Sequence, residues 1–297
     1  LPALFTQCQP RNLQVGVDEM TKKALLAGWG DLPRIWAEKA QAAGEDFIVL
    51  KIAEEITAEF SDLGCEEYTV NLTQLQKMID ILEAEDVEEL IWLGKIQKAH
   101  LFSDFQPDQK LQQLLTQLPN LNDDTILMAL ALEFIHSGFN VLPQTYLLED
   151  QLAESGLLTS EPDADLKRDM IFAFETAFNL GRFDIGQTAL VKDGAVMALE
   201  AIEGTDQAIK RAAEYGGPGV VMAKCSKQDQ DIRFDIPTVG MKTLDNLIEN
   251  KAAALIIEAD LTFILNKEEF CRRADENGII IAAAEYKKGE LILPWQK

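Results

Sequence analysis

Between residues 181 and 240 the chain sets carboxylates, amides, lysines and arginines at the breaks between short apolar runs. GRFDIGQT occupies 181–188, EAIEGTD occupies 200–206 and KCSKQDQDIRFDIPTVG occupies 224–240. A packed core has no use for so many ionisable groups, because each one buried without a partner is costly. A site that binds phosphate through a divalent cation needs this mixture. Carboxylates hold the cation, Lys and Arg neutralise phosphoryl oxygens, and glycines let the backbone come close.

Glu200, Glu203 and Asp206 are spaced by three, and Glu203-Gly204-Thr205-Asp206 reads as a strand-to-helix junction. Backbone N–H groups at a helix start attract anions, and carboxylates beside them can hold Mg2+. Asp206 could equally be a capping residue of the first turn. Asp231, Arg233 and Asp235 alternate in DIRFD. On an extended strand all three share a face, with Ile232 and Phe234 on the other. Lys224 and Lys227 stand just upstream as point charges for the oxygens of a diphosphate.

In the first half, GWGDLP at 28–33 places Gly28 and Gly30 where a strand meets a helix. Such a turn suits a phosphate or ribose, or is a tight turn and nothing more. The third glycine of a dinucleotide fingerprint would fall on Pro33, so the sequence gives NAD little support. Gly94-Lys95 ends another strand, and Lys95 faces the same crevice or is a surface lysine. No Ser-His-Asp or Cys-His arrangement presents itself around His100 and His136, the two histidines.

Composition narrows the class. A formal charge of −23 argues against a general nucleic-acid binder, since the overall field repels a phosphate backbone. Four scattered cysteines without a CxxC make a zinc site or disulfide framework improbable and suit a reducing cytoplasm. No apolar run reaches the ~18 residues of a spanning helix. LPALFTQCQPRN at the start lacks a basic segment followed by an apolar one, so it does not read as a secretory signal.

The elements needed to position these residues are legible as an α/β pattern over 297 residues, long enough for two domains. A strand at 22–30, a helix capped by Asp31 and stopped by Gly44, and a strand at 46–52 form a βαβ unit. Asn71 is expected to cap an amphipathic helix bearing Leu72, Leu75, Met78, Ile79 and Leu82, followed by a strand at 89–96. A helix at 124–137 and the strand FNVLP complete a parallel, Rossmann-like domain over 22–150. A polar linker is expected at 151–164. The second, mixed α/β domain at 165–297 opens with a helix at 165–181 and a hairpin turning at Asp193-Gly194. Helices at 205–215, 241–252 and 267–277 then alternate with strands at 219–223, 253–258 and 279–283. Residues 1–21 are expected to be a loose extension, with Met20 at or near the natural start.

These motifs resemble the LpxI-type UDP-2,3-diacylglucosamine pyrophosphatases of lipid A biosynthesis. The family's Gly-x-Gly-x-Leu-Pro is similar to Gly28–Pro33, and its Gly-Lys to Gly94-Lys95. Its Asp-(Ile/Val)-Gly-Gln matches Asp184 to Gln187, followed by Glu-Gly-Thr-Asp at 203–206. Its lysine-pair motif is met by Lys224, Lys227, Gln230, Asp231, Arg233, Asp235, Pro237, Thr238 and Gly240. Two departures stand out: Cys225-Ser226 replaces Ala-Pro between the lysines, and Glu258-Ala259-Asp260 replaces Glu-Ala-Gly.

The resemblance implies a Mg2+-dependent enzyme, with Mn2+ a possible substitute, that splits UDP-2,3-diacylglucosamine into 2,3-diacylglucosamine 1-phosphate and UMP. It implies two α/β domains with the site in the cleft between them, and a cytoplasmic protein that touches the inner membrane peripherally, with a homodimer as an expected assembly. The expected catalytic residues are Asp235, Glu203 and Asp206. Expected metal ligands are Asp235, Glu200, Glu203 and Asp184. Substrate would be held by Gly28, Gly30, Lys95, Gln187, Thr188, Lys224, Lys227, Arg233 and Thr238. A binder without turnover on the same fold, or a diphosphatase of another nucleotide-sugar, is the competing reading.

Overall fold

The computed structural model describes residues 21–53, 55–95, 107–119, 123–183, 185–227, 231–234, 236–287 and 290–296. The extension expected at the N-terminus thus falls almost wholly outside the described residues. The first part runs β1 (Lys23–Ala27), α1 (Leu32–Ala43), β2 (Phe47–Ile52), β3 (Glu66–Val70), α2 (Leu75–Ala84) and β4 (Glu89–Leu93). It continues through α3 (Gln109–Thr116), α4 (Asp123–His136) and β5 (Asn140–Val141). The strands are all parallel in the order β3-β2-β1-β4-β5. The order reverses between β1 and β4, and open α/β sheets take ligands outside the carboxyl ends at such a reversal.

Both faces of this sheet are covered, which is why its inner strands β1, β2 and β4 read as nearly continuous apolar runs. Ala24 and Leu26 of β1 point into one core with Met78, Ile79 and Leu82 of α2. Leu25 and Ala27 point into the other with Trp36, Ala37 and Ala40 of α1. Gly44, in the left-handed region at φ 76°, stops α1 as expected. Asn71 is not a helix cap. Its N–H donates to Gln74 Oε1 (3.2 Å), its carbonyl accepts from Gln74 N, and the helix begins only at Leu75. Gln74 reaches back and closes a separate turn ahead of α2.

The second part contains β6 (Gly156–Leu157), α5 (Ala164–Arg182), β7 (Thr188–Lys192), β8 (Ala195–Leu199), α6 (Thr205–Gly216) and β9 (Val221–Lys224). Then follow β10 (Thr238–Val239), α7 (Met241–Glu249), β11 (Ala254–Glu258), β12 (Phe263–Ile264), α8 (Lys267–Glu276), β13 (Ile280–Lys287) and β14 (Glu290–Ile292). Seven strands form one mixed sheet in the order β14-β13-β11-β9-β7-β8, with β6 added on β13. The 19-residue α5 covers one face through Met170, Phe174 and Ala177, while α6, α7 and α8 cover the other. The Asp193-Gly194 hairpin forms as expected, both residues at positive φ (50° and 72°). Asp169 of α5 anchors that turn by accepting both of its N–H groups at 2.7 and 2.8 Å.

A segment of the second half of the chain is built into the first. Phe234 is buried in the core on one face of the parallel sheet, edge-on to Trp92 at 6.0 Å. Ile236 is buried in the core on the other face, with Leu93 and Leu142. Gln144, itself buried, donates through Nε2 to the Trp92 carbonyl (2.8 Å) and accepts the Ile236 N–H (3.0 Å). Its own N–H donates to the Ile232 carbonyl at 2.9 Å. The end of β4 therefore holds this segment from three directions.

Candidate functional site

At the carboxyl end of the parallel sheet, the two glycine motifs of the first half meet. Trp29 and Lys95 exchange backbone hydrogen bonds (both 2.9 Å), and Gly28 N donates to the Leu93 carbonyl (2.9 Å). Gly94 must be glycine here. It lies at φ 88°, and a Cβ would sit 2.8 Å from the Gly28 carbonyl carbon and 2.9 Å from the Trp29 oxygen. Lys95 is exposed beside this bridge, and Gly30 (φ 108°) releases the chain into α1. Trp29 keeps 41% of its surface open, and Lys242 Nζ of α7 stands 5.2 Å from its ring centre.

At the corresponding end of the mixed sheet the chemistry is carried by side chains. Thr188 opens β7 directly opposite Lys224, the last residue of β9, and Glu200 follows β8 beside them. Lys224 Nζ lies 3.4 Å from Thr205 Oγ1, and that hydroxyl donates to Glu200 Oε1 at 2.8 Å. The other carboxylate oxygen of Glu200 is buried with no hydrogen-bond partner among the described residues, as is Thr188 Oγ1. Gly186 makes this packing possible: a Cβ there would come within 2.3 Å of the Glu200 carbonyl oxygen.

Glu203 lies against Arg211, whose Nη1 is 2.6 Å from Oε1. That contact is a close ion pair without the angle of a hydrogen bond. Arg211 also donates to the Leu199 carbonyl (2.5 Å), so it straddles the turn between β8 and α6. The Glu203 carboxyl is held below its usual range by its own backbone N–H and by Arg211, against the opposing effect of burial.

The Lys224–Lys227 loop is fixed from beneath by Glu258, at the end of β11. Its Oε2 accepts both the Ser226 N–H (2.8 Å) and the Ser226 hydroxyl (2.5 Å). Burial pushes the Glu258 carboxyl up, against these two bonds. Burial also pushes the Cys225 thiol well up, with the Glu258 charge adding to it, so this cysteine is an inert core residue. From α5, Gly181 lies against the same loop; a Cβ there would meet Ser226 O and Lys227 Cα at 3.2 Å. The departures from the family pattern become intelligible. Proline at 226 would have no N–H for Glu258. Asp260 takes the left-handed conformation (φ 61°) that glycine adopts freely and aspartate tolerates.

The structure brings Thr188, Glu200, Glu203, Lys224 and Lys227 to one end of one sheet, with Gln187 beside them accepting the Cys225 N–H (3.0 Å). Asp206 points elsewhere. Its two oxygens face α7, one taking Asn246 Nδ2 (2.9 Å) and the other pairing with Lys242 (2.8 Å). Residues 231–234 are not the expected strand. They form a turn closed by Phe234 N and the Asp231 carbonyl (2.9 Å), because the buried Phe234 anchors the segment in the first domain's core. Arg233 is chelated by Asp231 through Nε (2.9 and 3.0 Å) and Nη2 (2.5 Å) and reaches Met128 of α4. Burial opposes ionisation of Asp231, yet Arg233 holds its carboxyl below the usual range. Thr238 donates to the Ile236 carbonyl (3.1 Å) and opens β10, which pairs with β12. Asp184, Gln230 and Asp235 lie outside the described residues.

Sequence reasoning missed Thr205, Arg211, Ser226, Glu258 and Gln144. Thr205 and Arg211 sit within or one turn beyond a motif already singled out. Nothing in the chain's order announces that Gln144 or Glu258 will meet loops 92 and 32 residues away.

The chain matches the family model of the LpxI N-terminal domain over residues 22–151 and that of the LpxI C-terminal domain over residues 154–282. It is 28% identical over 283 residues, 90% of this chain and 98% of the relative, to the UDP-2,3-diacylglucosamine pyrophosphatase LpxI of Caulobacter vibrioides. Among solved structures it is similar to leucoanthocyanidin reductase of Vitis vinifera (13% identity, 49% of this chain, 38% of that chain, TM-score 0.26). It is also similar to the biotin carboxylase domain of Hydrogenobacter thermophilus 2-oxoglutarate carboxylase (11%, 67%, 43%, TM-score 0.27). Likenesses so partial carry no argument about function. With both LpxI domains matched in order along the one chain, the protein belongs to the LpxI family.

Proposed function

We propose that this protein hydrolyses UDP-2,3-diacylglucosamine to 2,3-diacylglucosamine 1-phosphate and UMP, a step of lipid A biosynthesis. The observation that carries the reading is the match to both LpxI domains, nearly end to end with the Caulobacter enzyme. The geometry supports it. Lys224 and Lys227, held by Glu258 and Gly181, offer cationic groups for the diphosphate, and Thr205 orients Lys224. Such preorganised charge is the main source of catalysis in phosphoryl transfer.

The buried Glu200 oxygen, without a partner among the described residues, fits a divalent cation, since a carboxylate oxygen without a proton donor calls for positive charge. Glu200 would hold Mg2+ or Mn2+ together with Asp184 and Asp235, the carboxylates of the two neighbouring motifs. The ion would neutralise phosphoryl oxygens and lower the pKa of attacking water. Glu203, engaged by Arg211, shapes the β8–α6 turn that carries Glu200 and Thr205.

The lipid part of the substrate has apolar neighbours in reach. Phe183, Ile185 and Ile202 are exposed on the loops around Gly186 and Glu200. Among the described residues no helix is long and apolar enough to cross a membrane. We place the protein at the cytoplasmic face of the inner membrane, held peripherally through these side chains and the acyl chains, with the substrate between the two domains. Purified protein should release UMP from UDP-2,3-diacylglucosamine with Mg2+ and lose that activity in EDTA. Turnover of a deacylated UDP-sugar at the same rate would replace this reading with a general nucleotide-sugar diphosphatase. Tight UMP binding without turnover would leave a sensing protein.

A further inference from the structure

Trp29 has an unusual combination of rigidity and exposure. Its backbone is locked to Lys95 by two hydrogen bonds at the point where the parallel sheet reverses, yet 41% of its surface is open. A large aromatic ring kept open at a fixed backbone position contributes little to the core. It is well suited to stacking, because any base presents a π-face to it.

A continuous set of contacts leads from this ring to the phosphate-binding cluster. Lys242 Nζ stands 5.2 Å from the ring centre and 2.8 Å from Asp206, whose neighbour Thr205 contacts Lys224 at 3.4 Å. These contacts link the ring, on the glycine turn of the first domain, through α7 and the start of α6 to Lys224. Lys242 attends one side of the ring, and a flat ligand group can approach the rest.

We propose that Trp29 is the stacking platform for the base of the nucleotide, placing the uracil of the substrate against the first domain while Lys224 and Lys227 take its diphosphate. The assignment rests on the nucleotide-sugar reading above and names the part of the substrate that reading leaves unplaced. It predicts that removing the ring weakens ligands carrying a base and spares those carrying only ribose phosphate.

The test measures binding of UMP and of ribose 5-phosphate to the full chain by calorimetry, for wild type, Trp29→Ala and Trp29→Phe. The expected result is a UMP Kd raised at least about fivefold in Trp29→Ala and largely restored in Trp29→Phe, with ribose 5-phosphate unchanged. Saturating UMP should also quench tryptophan fluorescence in wild type, and that quenching should vanish in Trp29→Phe. Equal weakening of both ligands in Trp29→Ala would overturn the proposal, showing that the ring only ties the domains together through Lys242. Unchanged UMP affinity in Trp29→Ala, with wild type turning over UDP-2,3-diacylglucosamine, would sink the platform and leave the activity standing. Wild type that neither turns over this substrate nor binds UMP would overturn both.

Discussion

The two sheets present their strand ends in contrasting ways. In the parallel sheet the surface is made of backbone: Trp29 and Lys95 exchange main-chain hydrogen bonds, Gly28 N donates to the Leu93 carbonyl, and Gly94 packs against Gly28 and Trp29. In the mixed sheet it is made of side chains: the Thr205 hydroxyl bonds Glu200 and lies beside Lys224, and Glu258 takes the Ser226 N–H. A backbone surface is sensitive to any added atom and insensitive to charge. A side-chain surface is the reverse. The two should fail differently when altered.

The largest effect is expected on the charged side. If Asp235 ligates the metal or positions water, Asp235→Asn should lower kcat by roughly 10²–10⁴-fold while leaving the denaturation midpoint unchanged. Near-normal turnover in this variant would remove Asp235 from the mechanism. Lys224→Ala should follow at roughly 10²-fold in kcat/KM, the scale of one lost electrostatic donor, again with little change in stability.

On the backbone side the balance should invert. Gly94→Ala meets Gly28 and Trp29 backbone at 2.8 and 2.9 Å and is strained at φ 88°. It should cost roughly 1–3 kcal/mol in urea unfolding, because the atoms it meets cannot rotate away. Unchanged stability together with lost activity would show that the glycine turn is chemical as well as steric.

The smallest effect concerns Glu258. Its carboxyl is raised by burial, so the folded state keeps this proton to higher pH than the unfolded chain. The stability it contributes is full below the unfolded carboxylate range and is lost as pH rises through its folded value. Glu258→Gln should therefore flatten the fall of melting temperature with pH just above the ordinary carboxylate range, measured against wild type. Parallel curves for the two proteins would show that the buried carboxyl does not titrate on folding.

How much could be read in advance follows the same division. Gly44, Asp193-Gly194 and the apolar runs of β1, β2, β4 and β11 announced their elements, because helix stops, hairpin turns and doubly buried strands depend on neighbouring residues. β3 escaped notice: its edge position leaves EEYTV half-polar, so the alternation that marks a strand is blurred. DIRFD misled for a related reason. Its alternation is real, but Phe234 is claimed by a core some 140 residues away in the chain, around Trp92.

Residue types and spacing by themselves determined the α/β architecture, the two glycine motifs and the concentration of ionisable groups in 181–240. These rest on local backbone preference and on the chemistry each side chain carries wherever it goes. Only the tertiary structure decided which groups meet. It turned Asp206 toward α7, closed Asp231 on Arg233, left a Glu200 oxygen without a partner among the described residues and set Glu258 beneath Ser226. Such pairings depend on where distant strands end relative to one another. That is set by the packing of whole sheets and helices, a property no short stretch of sequence carries.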